Sequence, residues 1–163
     1  MRLHPRLFSS GNPAAAVLAP ESLLRAAPDL WACSQSLAEE NWERLRQMDL
    51  DKAATPALLA YEGIQYQYMA PAVFEDGQMD WVGERVRILS GFYGALRPFD
   101  RVVPYRLEMQ AKVPRRFRNL YDFWGDRLYR ACRDEDGILI NLASKEYSRA
   151  VAPISSRRTG WWR

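Results

Sequence analysis

The 163-residue sequence predicts a single mixed α/β domain, a mixed sheet flanked by helices. Three observations carry this. Short apolar runs bounded by turn residues suggest buried strands at Pro56–Tyr61 and Ile138–Leu142. Segments with apolar residues three or four apart suggest helices between them. The two kinds of segment alternate along the chain, as expected where helices pack on a sheet.

Residues 1–20 hold prolines, a Ser-Ser-Gly-Asn cluster and an alanine run, and read as an irregular N-terminal segment. Leu23, Leu24, Ala27 and Leu30 suggest a helix interrupted by Pro28. Ser36 and Glu39 have capping-box spacing, unless the helix begins before Ser36; Ala38, Trp42 and Leu45 then form its inner face. After the strand at Pro56–Tyr61, Ile64–Met69 alternates Tyr66 and Tyr68 with Gln65 and Gln67, which reads as extended. Asp76-Gly77 reads as a turn. Asp80 is placed to cap a helix through Trp81, Val82, Val86 and Leu89 that stops at Ser90-Gly91. Asn119 caps a further helix with Leu120, Trp124, Leu128 and Ala131 on one face. Asp134–Gly137 is a turn before the second strand.

Composition narrows the chemistry. No apolar run approaches the roughly 20 residues that span a bilayer, and the N-terminus lacks a signal-peptide pattern, so cytoplasmic residence without a membrane partner is the expectation. His4 is the only histidine, which argues against histidine triads and multi-imidazole metal sites; no metal or cofactor is expected. Cys33 and Cys132 form no CxxC pair and read as reduced thiols. Charge is uneven: residues 21–62 carry four basic against eight acidic residues, and residues 101–133 carry nine basic against three acidic. A basic stretch with Phe117, Tyr121 and Trp124 within it suits a polyanion as well as a solvated surface.

Several segments could carry chemistry. Gly91-Phe-Tyr-Gly94 resembles the turn of a helix-hairpin-helix, whose backbone amides meet a phosphate while basic residues such as Arg87 and Arg97 add charge. On pattern alone, turn geometry accounts for both glycines. In Pro104–Met109 alternation puts Arg106 and Glu108 on one side, either as an ion pair or as an anion anchor beside a base. Asp122 and Asp126 have i, i+4 spacing, suited to a divalent metal or to salt bridges with Arg118 and Arg130. Asn141, Ser144 and Glu146 follow the second strand, where α/β folds often place a binding crevice.

The segments LSGFYGALRPFD, PYRLEMQAK, LYDFWGD and INLASKEY occur in that order, and together they resemble the YaaA family of peroxide-stress proteins. LAEENWERLRQMDL and PALLAYEGIQYQYM are similar to the same family, so the likeness spans roughly residues 30–151. The resemblance implies a cytosolic protein of the hydrogen-peroxide response that limits iron-dependent damage, with a mixed α/β fold, a helix-hairpin-helix element and sequence-nonspecific DNA binding. It implies nucleic-acid contact by Arg87, Gly91, Gly94, Arg97 and Arg106. It also places Arg97, Arg106 and Glu108 in the family's polar cleft; Asp126, Asn141, Ser144 and Glu146 are further cleft candidates from the residues themselves. An enzyme acting on a nucleotide or other anionic small molecule in that cleft is the alternative. The sequence departs from the family pattern in three places. It lacks an opening I-I-S-P-A-K-like strand, and it carries Gln35 and Ser36 where an acidic-then-basic pair is usual. It ends in VAPISSRRTGWWR. Residues 21–151 therefore read as a partial YaaA-like domain, and 152–163 as an atypical tail.

Overall fold

The computed structural model describes residues 34–49, 52–111, 118–133 and 138–152. The expectations for residues 1–20, the Leu23–Leu30 helix, Cys33, the Asp134–Gly137 turn and the tail from 153 onward lie outside these residues, as does the Leu45 side chain.

Helices and small antiparallel sheets share one core, so the mixed α/β class holds. The first helix, α1 (Gln35–Arg46), begins one residue before Ser36, which leaves Ser36 inside the first turn. Ala38 is fully buried and Trp42 packs against the core, as the periodicity requires. Outward, Arg44 pairs with Glu40 at 2.5 Å and Arg46 with Glu43 at 3.8 Å; exposed pairs of this kind contribute about 0.3–0.5 kcal/mol each.

The strand expected at Pro56–Tyr61 is corrected. Only Thr55–Pro56 (β1) is extended, and Ala57–Ala60 (α2) is a helical turn. Alanine and leucine are among the best helix formers, and two of the turn's leading amides find acceptors in a neighbouring loop. Ala57 N–H donates to the Asp100 carbonyl at 2.8 Å and Leu58 N–H to the Pro98 carbonyl at 2.9 Å. Ile64–Met69 is helix α3, not an extended segment. Its inward residues are Tyr66 and Met69, three apart, and the Tyr/Gln alternation is incidental to that spacing.

After a 3₁₀ turn at Pro71–Val73, helix α4 spans Asp76–Arg85. Asp76-Gly77 is therefore helical and Asp80 is interior. The cap is Glu75, whose backbone amide donates to Gln78 Oε1 at 2.9 Å. Helix α4 stops at Arg85, so Leu89 belongs to the next strand.

Strands β2 (Ile88–Ser90) and β3 (Gly94–Leu96) form an antiparallel hairpin, with Ile88 opposite Leu96 and Ser90 opposite Gly94. The Gly91–Gly94 turn thus joins two strands, which corrects the helix-hairpin-helix expectation. Strand β4 (Arg101–Val102) pairs antiparallel with β1, Thr55 opposite Val102. Among the described residues the sheets are two antiparallel pairs, not one mixed sheet.

Asn119 caps α5 (Leu120–Trp124) as expected, its Oδ1 accepting from Asp122 N–H at 3.0 Å. The single helix foreseen there is broken by Gly125 at φ 53°, and α6 (Arg127–Cys132) follows. Ile138–Leu142 forms no strand, and its isoleucines and Leu142 face outward; the buried strand expected there is corrected. Helix α7 (Lys145–Ser148) leads to buried Ala150 and Val151. The hairpin lies at the centre: Phe92, Leu96 and Ser90 are almost wholly buried, with Leu58, Met109 and Leu128 around them.

Candidate functional site

The hairpin turn is held by one hydroxyl. Ser90, at 0% exposure, accepts from the Tyr93 amide at 2.8 Å and the Phe92 amide at 3.2 Å. Its oxygen also lies 2.5 Å from the Tyr105 hydroxyl, which lies 2.8 Å from that of Tyr61. A serine oxygen has two lone pairs and one hydrogen. With both lone pairs facing amides, Ser90 is left to donate to Tyr105, whose hydroxyl is hydrogen-bonded in turn to that of Tyr61. The result is a chain of hydroxyls running from the turn to α2's C-terminal end.

Aromatic rings surround this chain. Phe92 lies 5.1 Å from Tyr105 between centroids, Tyr93 meets Tyr105 edge-on at 5.2 Å, and Tyr61 stacks on Tyr66 at 6.1 Å. The Tyr93 hydroxyl accepts from Val103 N–H at 3.0 Å. Burial pushes the Tyr66 and Tyr93 phenols up to about 12, and Tyr61 and Tyr105 are also raised, chiefly by burial. Tyr147 on α7 is raised by burial and then by Glu146, Tyr61 and Glu108. All these phenols are neutral at pH 7.

The linkage between these shifts and stability has one sign. Above pH 10 an unfolded tyrosine loses its proton while these native ones keep theirs, so the unfolded state binds fewer protons. Stability is therefore fully present below pH 10 and is lost as pH rises toward 12, the value to which Tyr66 and Tyr93 are raised. Melting curves between pH 9 and 11.5 should show a progressive fall, and phenolate absorbance should appear together with unfolding. In a chain with the 85% exposed Tyr68 replaced by phenylalanine, so that only the other tyrosines report, titration of Tyr61, Tyr66, Tyr93, Tyr105 or Tyr147 near pH 10 without loss of structure would contradict the buried cluster.

The two glycines are packed against neighbours. A Cβ on Gly91 would stand 2.5 Å from the Leu107 carbonyl oxygen, and the Gly91 carbonyl accepts from the Trp124 indole N–H at 2.9 Å. Gly94 adopts φ 86°, and its Cβ would meet the Trp124 ring at 2.9 Å. Both are buried, and Ser90 takes the Phe92 and Tyr93 amides between them. The turn backbone is closed, not a cradle open to phosphate.

The remaining sequence candidates divide. Arg87 donates to the carbonyls of Glu84 at 3.0 Å and Val86 at 2.7 Å, closing the end of α4. Arg97 is exposed, while its amide donates to buried Asp100 at 2.8 Å. Arg106 pairs with Glu108 at 2.9 Å, with the two side chains 43% and 41% exposed, so the alternation in that segment was read correctly. Glu146 Oε1 accepts from Gln110 N–H at 3.3 Å, and its carbonyl accepts from the Tyr121 hydroxyl at 3.0 Å. Asn141 donates to the Ser148 hydroxyl at 2.7 Å, and Ser144 occupies the N-cap position of α7. The structure thus gathers Glu108, Glu146 and Tyr147 into one neighbourhood beside the hairpin. Asp126 is spent on Arg130, and the Gly125 break removes the continuous helical face that Asp122 and Asp126 were expected to share.

Among the described residues no group of three or more His, Cys, Asp or Glu is placed to hold a metal ion. No described helix is long and apolar enough to cross a membrane. Cys132 is a free, partly buried thiol raised to about 11 by burial, with Arg87 opposing the shift. The sequence reading missed Ser90, Tyr61, Tyr105 and Tyr147. Their only signal was an abundance of tyrosine (eight in the chain) around the Ser-Gly turn.

The basic residues face outward. Arg101, Arg118, Arg127, Arg130, Arg133 and Arg149 are all exposed. Arg127 lies over the rings of Phe123 at 4.8 Å and Trp124 at 5.5 Å, and Arg149 lies over Tyr121 at 4.8 Å. Stacking of this kind orients a guanidinium without neutralising it.

The fold and site define a mixed α/β domain built around a closed, hydrogen-bonded hairpin, with cationic side chains displayed outside. A family model described as peroxide stress protein YaaA matches residues 15–160, and the chain belongs to that family. It is 57% identical over 123 residues to a UPF0246 protein of Agathobacter rectalis, covering 75% of this chain and 49% of that protein. It is 54% identical over 128 residues to a UPF0246 protein of Lactiplantibacillus plantarum, covering 78% and 52%. A UPF0246 protein of Desulfitobacterium hafniense is 56% identical over 123 residues, covering 75% and 49%. The chain spans about half the length of the curated relatives it matches.

Proposed function

We propose that this chain acts in the cytoplasm in the response to peroxide, binding duplex DNA without sequence preference and so helping to limit iron-dependent oxidative damage. Its membership of a peroxide-stress family supports the physiological setting. The observation that carries the DNA contact is the display of exposed, aromatic-stacked arginines on and around α5 and α6. Guanidinium groups fixed on a rigid surface suit phosphate, and binding of this kind needs no base readout.

The closed turn changes how contact would be made. Gly91 and Gly94 shape the hairpin instead of touching phosphate, and side chains carry the interaction. Arg97 is exposed beside the hairpin, and Arg106 is half exposed in its pair with Glu108. An exposed ion pair contributes about 0–1 kcal/mol, so phosphate can compete for the guanidinium. Replacing Arg97 and Arg106 together by alanine should weaken duplex binding and reduce the slope of log affinity against log salt by about 1 per arginine. A gel-shift series across salt concentrations measures this. The same affinity and slope as the unaltered chain, both in this variant and in one with Arg127 and Arg149 replaced by alanine, would overturn the proposal.

A further inference from the structure

The row of hydroxyls at Ser90, Tyr105 and Tyr61 has a chemistry beyond holding the turn. Its oxygens stand 2.5 Å and 2.8 Å apart. Burial keeps both phenols protonated at pH 7, and the Tyr105 hydroxyl is the more deeply buried of the two. Tyr61 is partly exposed. Among the described residues, neither phenol is hydrogen-bonded to a carboxylate or a basic side chain.

A phenol that loses an electron but keeps its proton becomes a cation, which an apolar interior penalises heavily. No base stands here to take that proton. A whole hydrogen atom can still pass between the two phenol oxygens, and its passage moves no net charge through the core. Once Tyr61 has lost its hydrogen, the direction is forced, because across the 2.8 Å bond only Tyr105 has one to give. Ser90 cannot be drawn on in turn. An alkyl O–H bond is stronger than a phenol O–H bond, so the vacancy stops at Tyr105. There Ser90 and the restored Tyr61 hydroxyl both donate to the radical oxygen, and such hydrogen bonds stabilise a phenoxyl radical. Phe92 and Tyr93 flank the Tyr105 ring at 5.1 Å and 5.2 Å between centroids, which shields it from a second radical.

We infer that Tyr61 and Tyr105 form a radical sink: an oxygen-centred radical takes a hydrogen atom from Tyr61, and Tyr105 replaces it. The attacking radical leaves with a new O–H bond, Tyr61 regains its own, and Tyr105 keeps the unpaired electron. A small thiol discharges the sink by returning a hydrogen atom along the same route, and becomes a thiyl radical. This activity is separate from the DNA contact and does not depend on it.

Pulse radiolysis of the full 163-residue chain tests the sink. Azide radicals, in less than stoichiometric amount, take one electron while the phenol proton goes to water, and phenoxyl absorbance is followed over time. Radicals on exposed tyrosines such as Tyr68, 85% exposed, couple between chains, so their decay quickens with protein concentration. The sink should give a second population whose decay ignores concentration and is at least about tenfold slower. Tyr105→Phe should abolish that population, Tyr61→Phe should cut its yield at least about tenfold, and Tyr68→Phe should leave it intact. High-field electron paramagnetic resonance of the unaltered chain, frozen after the pulse, needs no variant. The long-lived radical should carry two exchangeable hydrogen bonds on its oxygen, one from Ser90 and one from Tyr61. Absence of a slow population, its survival in Tyr105→Phe, or a long-lived radical with fewer than two such bonds would each overturn the proposal.

Discussion

Replacing Phe92 with alanine is expected to cost about 3–5 kcal/mol of folding stability. Phe92 is wholly buried at the tip of the β2–β3 hairpin. Its ring meets Tyr93 edge-on at 4.9 Å and Tyr105 at 5.1 Å. Deleting it removes the largest apolar group from the centre of the core and leaves a cavity walled by tyrosines already committed to other partners. Those partners limit collapse: Tyr93 is held by the Val103 amide, and Tyr105 by Ser90 and Tyr61. For a chain of this size, the loss should appear as a fall in melting temperature of roughly 6–20 °C. Urea denaturation followed by far-UV circular dichroism measures it directly. A loss below about 1 kcal/mol would mean that the hairpin tip is not the centre of the core.

Ser90→Ala is expected to cost about 2–5 kcal/mol, although it removes a single oxygen. The variant leaves two buried amides, those of Phe92 and Tyr93, without their acceptor, and it removes the donor to Tyr105. An unsatisfied buried donor costs about 1–3 kcal/mol, and the methyl group left behind repairs neither amide. Hydrogen exchange separates this effect from simple loss of packing. The Phe92 and Tyr93 amides should exchange faster in Ser90→Ala than global unfolding of that variant accounts for. Exchange that merely follows global stability would remove Ser90 from the role of holding the turn.

The sequence made some of these features legible and concealed others for physical reasons. Asn119 was readable as a cap because capping is a local bond between a side chain and an amide three residues on. The Arg106–Glu108 pair was readable because alternation in an extended segment fixes sidedness. Pro56–Tyr61 was not, since a short apolar run fits a strand or a helical turn equally, and the choice fell to carbonyls at Pro98 and Asp100 far along the chain. Ile64–Met69 misled by a coincidence of residue types: tyrosine and glutamine alternate, yet the packing residues are Tyr66 and Met69. Gly91 and Gly94 were noticed as turn formers, but nothing local said that strands would enter and leave the turn. The Ser90–Tyr105–Tyr61 chain joins residues from three separate segments, and no window of sequence contains it. Ile138–Leu142 has the composition of a buried strand, yet its isoleucines and Leu142 are exposed and no ladder pairs it with another described residue, which a local pattern does not reveal.

The ladder between Thr55–Pro56 and Arg101–Val102 has a consequence for how the molecule opens. It is two residues deep, yet it closes the chain into a loop that contains α2, α3, α4 and the entire hairpin. The entropy of closing a loop grows only with the logarithm of its length, so each doubling adds about 0.6 kcal/mol and a brief ladder can hold a long excursion shut. The ladder works as a clasp. While it is fastened, Tyr61 is held where its hydroxyl meets that of Tyr105 at 2.8 Å. Beside it, the Ala57 and Leu58 amides bond to the Asp100 and Pro98 carbonyls and both side chains are buried, so the clasp and α2 are fastened to the same core.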